Sequence, residues 1–197
     1  MTSAGDGLRK GKSMSTATAA TQPLIASLSR EKSAPGDQQV FDRLTQAFGH
    51  MPAFFSTMAR VPEALQHFLP FYSAVINKGT VEPKYKELAY LKTAQINGCQ
   101  YCFQAHSASG KKSGVSEQQL HELTFFRRSS AFDAKEKAVI LYAERVTRGA
   151  SAIREGAIQE LKQHFNDDQI VELTLTISIA NLTNRFNDAL MITPDIG

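Results

Sequence analysis

The chain has 197 residues and a formal net charge of +3, and it is 42% hydrophobic and 21% charged, proportions ordinary for a globular protein that buries a core. Its two cysteines exclude a multi-disulfide framework and a four-cysteine zinc site, and no apolar run approaches the roughly 20 residues that span a bilayer. Residues 1–36 hold five basic and two acidic side chains and so carry the whole excess; residues 37–197 are neutral. A basic excess confined to a terminal segment removes nucleic acid as the expected partner.

Residues 1–36 are rich in Ser, Thr, Ala and Gly, with one short apolar patch at Leu24, Ile25 and Leu28. Such a segment buries too little apolar area to offset its ordering entropy, so a disordered tail is expected over 1–36 and a folded domain over 37–197. The tail lacks the apolar stretch of a secretory signal; it resembles an organelle transit peptide only faintly, and Met14 is an alternative start.

From residue 37 the pattern is helical. Val40, Phe41, Leu44, Ala47 and Phe48 recur at helical spacing before Gly49. Pro62 opens a second stretch that runs to Gly79, with Pro70 inside it expected to kink or split the helix. Pro83 opens a third, carrying Leu88, Leu91 and Ala94 to a stop at Gly98. A helix from Cys99 to about Gly114 follows. Ser116 with Gln119 and Asp133 with Glu136 are capping-box signatures for two more. The first of these runs through Leu123 to Phe126, and the second carries Val139, Ile140, Tyr142, Ala143 and Val146. A short amphipathic helix is expected over Ala157 to Phe165. Asp167 or Asp168 is expected to cap a long helix from Ile170 to about Leu190. Its VELTLTISIA segment is rich in β-branched residues, yet its length and the lack of turn signals favour helix. The expected fold class is all-α, a compact bundle of about eight helices.

Both cysteines fall in one Cys-x-x-Cys, followed by a histidine: Cys99-Gln-Tyr-Cys102-Phe-Gln-Ala-His106. At about 100° per residue, Cys99 and Cys102 lie about 60° apart, Cys102 and His106 about 40°, and Cys99 and His106 about 20°. All three share one stripe, with His106 one turn beyond Cys102. Asn97-Gly98 is a turn signal, so Cys99 stands near a helix N-terminus, where the dipole and free N–H groups favour a thiolate. The motif therefore holds a nucleophile, a resolving thiol and a base, the needs of a dithiol/disulfide cycle.

Other readings are open to the same residues. Buried cysteines also serve as small hydrophobes. A structural zinc site would need a fourth ligand, for which Glu87 is available, although such sites favour Cys and His. A c-type haem needs His directly after the second cysteine, where this chain has Phe103. A thioredoxin-type site needs a βαβ setting. Spacing does not place Glu87, because Gly98 interrupts the helix; Glu82 and Glu144 are equally available.

At these residues the chain resembles the AhpD-like (alkylhydroperoxidase D) branch of the carboxymuconolactone decarboxylase family. The likeness lies in Glu87, eleven residues, then Cys99-x-x-Cys102-x-x-x-His106 with QINGCQYC between, and in the final IANLTNRFNDAL segment with a proline soon after. It covers roughly residues 40–195. The resemblance implies an all-helical subunit that assembles as a homotrimer or homohexamer. It implies Cys102 as the peroxidatic thiolate, with His106, acting with Glu87 through a water, accepting its proton. Cys99 would resolve the sulfenic acid as a disulfide, and an external dithiol, from a lipoylated or thioredoxin-like protein, would reduce it. No cofactor or metal is implied. Some members carry a histidine where this chain has Tyr101, which weakens the expected proton relay.

The expected function is thus a cysteine peroxidase that reduces hydroperoxides, an oxidoreductase of the cytoplasm, where a reducing environment recycles the pair. Its expected partners are the hydroperoxide, the dithiol reductant and further copies of itself, without nucleic acid or membrane. Two alternatives stand beside it. One is a carboxymuconolactone decarboxylase-type lyase, against which the cysteine pair argues. The other is a non-catalytic, disulfide-switched oligomer. Self-association is also expected from the apolar circumference of the last helix and from Phe54, Phe55, Phe68 and Phe71.

Overall fold

The computed structural model describes residues 22–153 and 155–195. These hold nine α-helices and no strand: α1 (Pro35–Phe48), α2 (Ala53–Met58), α3 (Pro62–Ile76), α4 (Pro83–Asn97), α5 (Gln100–Lys112), α6 (Glu117–Glu122), α7 (Ala134–Gly149), α8 (Glu155–Lys162) and α9 (Asp167–Ala189). The all-α fold is as expected.

Local chemistry sets most boundaries. Pro35, Pro62 and Pro83 each stand in the first turn of a helix, where the missing N–H has no intrahelical partner to lose. Gly49 and Gly98 end α1 and α4 at φ +79°, a left-handed conformation that favours glycine. Ser116 with Gln119 and Asp133 with Glu136 close reciprocal capping boxes on α6 and α7. The cap of α9 is Asn166 with Gln169, one residue earlier than expected. Asn166 is extended and its side chain accepts the Gln169 N–H, so Asp167 and Asp168 become the first turn.

Pro70 does not split α3, which runs unbroken from Pro62 to Ile76. The bond that Pro70 cannot make is to the carbonyl of Gln66, and both residues are exposed, so water can satisfy that carbonyl. The six-residue α2 carried no periodic signal. Its first N–H, at Ala53, is capped by Asp195 Oδ2 at 2.6 Å, from 142 positions away.

Residues 1–21 of the expected tail lie outside the described residues. Residues 22–34 run along the body: Leu24 N–H bonds Leu190 O and Leu28 N–H bonds Ser56 O, while Arg30 pairs with Asp42.

The core is built around α4. Nine consecutive residues, Lys86 to Ala94, are buried, because α5, α7 and α9 pack around this helix. A helix enclosed in this way has no solvent face to which polar side chains can turn, so Glu87 must find its partners inside. No helix among the described residues is long and apolar enough to cross a membrane.

Candidate active site

The site is built at the corner between α4 and α5. Gly98 turns the chain, Cys99 is the extended N-cap of α5, and Cys102 is its third residue. Both cysteines are free and almost fully buried, at 0% and 2% exposure. Cys102 lies in the first helical turn, where unpaired N–H groups and the helix dipole favour negative charge.

The two thiols are strongly differentiated. Cys102 is lowered from the ordinary 9.0 to about 6, first because the Cys99 thiol donates to its sulfur. Burial opposes this shift; the side-chain amides of Asn187 and Asn184 and the charge of His106 add to it. Asn187 Nδ2 donates to Cys102 Sγ at 3.2 Å. Cys99 is pushed far up, by its bond to Cys102, by burial and by the neighbouring thiolate. The favoured thiolate is therefore Cys102 and not the N-cap Cys99 to which helix position alone points. Cys102 lines a cavity of about 210 Å³, and Cys99 is not part of its wall.

Glu87 and His106 meet across the corner. Glu87 Oε2 lies 2.8 Å from His106 Nδ1, and Ser109 Oγ donates to Glu87 Oε1 at 2.5 Å. The Nδ1 contact with the Glu87 carboxylate orients the ring and leaves Nε2 free to take or give a proton. The Tyr72 hydroxyl lies 3.4 Å from that Nε2. Tyr90 stacks on the His106 ring, with centroids 3.4 Å apart and planes at 14°, and its own hydroxyl bonds Thr183 Oγ1. The imidazole is thus held by a bond at each end and by a ring on its face.

Of the three carboxylates left open by the sequence, only Glu87 reaches the histidine. Glu144 lies with Lys92, Arg127 and Arg148, and Glu82 precedes α4 as its N-cap residue. Tyr101 lines the cavity, with its hydroxyl buried near Asp195 and the Phe54 backbone. The phenylalanines split. Phe54 packs edge to face with Phe55, Phe68 and Phe186, and Phe55 with Tyr72; Phe54 and Phe55 line the cavity, and Phe71 is exposed. Much of the stretch expected to cover a subunit contact is instead the wall of the site.

Sequence reasoning missed Asn184, Asn187, Tyr72, Tyr90 and Ser109. The final IANLTNRFNDAL segment stood out, and Asn184 and Asn187 lie within it, but nothing local marks Tyr72. Among the described residues, no cluster of three or more His, Cys, Asp or Glu is arranged to hold a metal ion.

Residues 62–145 match the profile of the carboxymuconolactone decarboxylase family, a span that holds Glu87, Cys99, Cys102 and His106. A relative within reach of sequence comparison is the uncharacterized protein YdfG of Bacillus subtilis, 27% identical over 106 residues, which are 53% of this chain and 72% of that one. Solved structures share the fold of this chain. The alkylhydroperoxidase AhpD core of a peroxidase-related protein from Ralstonia eutropha JMP134 has a TM-score of 0.78 at 19% identity, covering 88% of this chain and 92% of its own. The debrominase Bmp8, as a cysteine-to-alanine variant in complex with 2,3,4-tribromopyrrole, has a TM-score of 0.75 at 20% identity, over 90% and 94%. The fold is AhpD-like.

Proposed function

We propose that the protein is a thiol peroxidase that reduces organic hydroperoxides. The observation that carries this reading is a pair of free cysteines of which Cys102 lines the cavity and accepts from Asn187, while its neighbour Cys99 stands outside the cavity wall. Cys102 attacks the terminal oxygen of R–O–OH; the O–O bond breaks, the sulfur becomes a sulfenic acid and the alcohol leaves. Cys99 then displaces water from the sulfenic acid and closes the disulfide. In sum, two thiols and one hydroperoxide yield one disulfide, one alcohol and one water. His106, oriented by Glu87, accepts the Cys102 proton as the thiolate forms.

The phenyl and phenol rings that line the cavity favour a hydroperoxide with an apolar organic group over hydrogen peroxide. An external dithiol, lipoylated or thioredoxin-like, returns the pair to its reduced state. Assembly with further copies, as a trimer or hexamer, would cover Val171, Leu175 and Leu182, which stand exposed on α9.

The test is single-turnover oxidation by cumene hydroperoxide, with sulfenic acid trapped by dimedone. Wild type forms the Cys99–Cys102 disulfide, Cys99→Ser accumulates trapped sulfenic acid at Cys102, and Cys102→Ser consumes no peroxide. Equal, slow consumption by wild type and Cys102→Ser would sink the reading.

A second reading uses the same dithiol: reductive removal of a halogen from a small aromatic, yielding the arene, halide and the disulfide. The aromatic cavity and the fold shared with a debrominase favour it. Bromide release from a brominated pyrrole, with no oxidation by hydroperoxides, would select it. The lyase alternative uses neither thiol and is selected only by lactone decarboxylation that survives loss of both.

A further inference from the structure

We propose that Tyr72 is a catalytic acid of this site, the group that gives its hydroxyl proton to the leaving alkoxide when Cys102 attacks a hydroperoxide. The inference rests on the peroxidase reading and adds the proton donor which that reading leaves unnamed.

Attack on the terminal oxygen expels RO⁻, a poor leaving group unless it is protonated as the O–O bond breaks. The donor must line the cavity that Cys102 faces and must itself be resupplied. Tyr90 is engaged with Thr183, and Ser109 with the Glu87 carboxylate. The Tyr101 hydroxyl is turned toward Asp195 and the Phe54 backbone and makes no bond to His106 from which to recover a proton. Tyr72 lines the cavity, and its hydroxyl lies 3.4 Å from His106 Nε2, the ring nitrogen left free by the bond from Nδ1 to Glu87. Such contacts are commonly long before substrate binds and tighten in the reacting complex.

Its ring is held in place. Phe55 packs edge-on against it at 6.5 Å and 87°, and Phe68 is tilted on it at 5.5 Å and 40°. Burial, and after it the negative charge of Glu87, raise the Tyr72 pKa, which keeps the phenol protonated until the alkoxide appears.

The protons then balance. His106 Nε2 takes the Cys102 thiol proton. Tyr72 gives its own proton to RO⁻ and recovers one from the imidazolium. The net step is Cys102–SH plus ROOH to Cys102–SOH plus ROH: the sulfur loses two electrons, the O–O bond gains them, and the thiol proton ends on the alcohol. Glu87 holds the imidazolium through its Nδ1 throughout.

The test compares two oxidants on the full, reduced chain. tert-Butyl hydroperoxide leaves as an alkoxide that needs a proton; peracetic acid leaves as acetate, which needs none. Tyr72→Phe should slow Cys102 oxidation by tert-butyl hydroperoxide about 10²-fold, the usual worth of a positioned acid, and slow peracetic acid at least roughly tenfold less. Tyr72→His, which keeps a donor at this position, should recover roughly tenfold of the loss. Equal losses with both oxidants, no loss with either, or no recovery in Tyr72→His would each overturn the proposal. Wild type that is oxidised by neither reagent overturns the peroxidase reading itself, an outcome separable from the others because it requires no variant.

Discussion

The Asn187 side-chain amide donates to the Cys102 sulfur at 3.2 Å, although 85 positions separate the two residues. Asn187 is itself 1% exposed, so this bond exchanges with no water. It joins the last turn of α9 to the first turn of α5, and it helps decide which of the two cysteines is ionised.

The pH dependence of Cys102 reactivity follows from that arrangement. With a pKa lowered to about 6, Cys102 is mostly thiolate at neutral pH. Its alkylation by iodoacetamide should be flat above about pH 7 and fall roughly tenfold per unit below about pH 6. An ordinary thiol would still be gaining rate at pH 8, and such a profile would refute the assignment.

Removing either donor should raise that midpoint. Asn187→Ala is expected to raise it by about one to two units, since a hydrogen bond to a charged group is worth about 1.5–3 kcal/mol. Cys99→Ala removes the largest contribution and should raise it further. Thiolate absorbance near 240 nm, followed against pH in each variant, measures both, and the order of the two shifts is part of the expectation.

Glu87→Gln keeps the shape of the side chain but not its charge. The His106 imidazolium would then lose its buried counter-charge, and single-turnover peroxide reduction should fall about 10²-fold with the Cys102 alkylation profile far less changed. Equal loss of both would place Glu87 in the thiolate environment instead of the proton path.

The turn before α4 should be a point of weakness. Glu172 on α9 accepts from the N–H groups of Thr80 and Val81 and pairs with Lys86 Nζ at 2.5 Å, and Lys86 is only 3% exposed. Glu172→Ala leaves a buried ammonium without its counter-ion and should cost about 3–5 kcal/mol in urea unfolding. Burial alone would raise the Glu172 pKa, but Lys86 and the two backbone N–H groups together hold it below the ordinary 4.5. Its contribution is therefore complete above that ordinary value and lost as pH falls through the lowered one. The stability difference between wild type and Glu172→Ala should shrink across that window.

Helix boundaries were legible where one residue's own conformational limits set them. Pro62, Pro83, Gly98 and the two capping boxes act within three or four positions, so the chain announces them. Boundaries set by distant groups were not. The start of α2 depends on Asp195. The continuity of α3 through Pro70 depends on which of its faces meets water, which is a tertiary fact.

The candidate site divides in the same way. Helical periodicity by itself put Cys99, Cys102 and His106 on one stripe, because a fixed turn per residue leaves side chains so close in sequence little freedom. Only the tertiary structure decided the rest. Packing of α4 against α5 and α9 chose Glu87 over Glu82 and Glu144 as the partner of His106. The same packing brought Asn187 to Cys102 and made Cys102, not Cys99, the lower-pKa thiol facing the cavity. A pKa is set by burial and by every donor within bonding distance, and those donors come from helices that the sequence lists far apart and the core holds together.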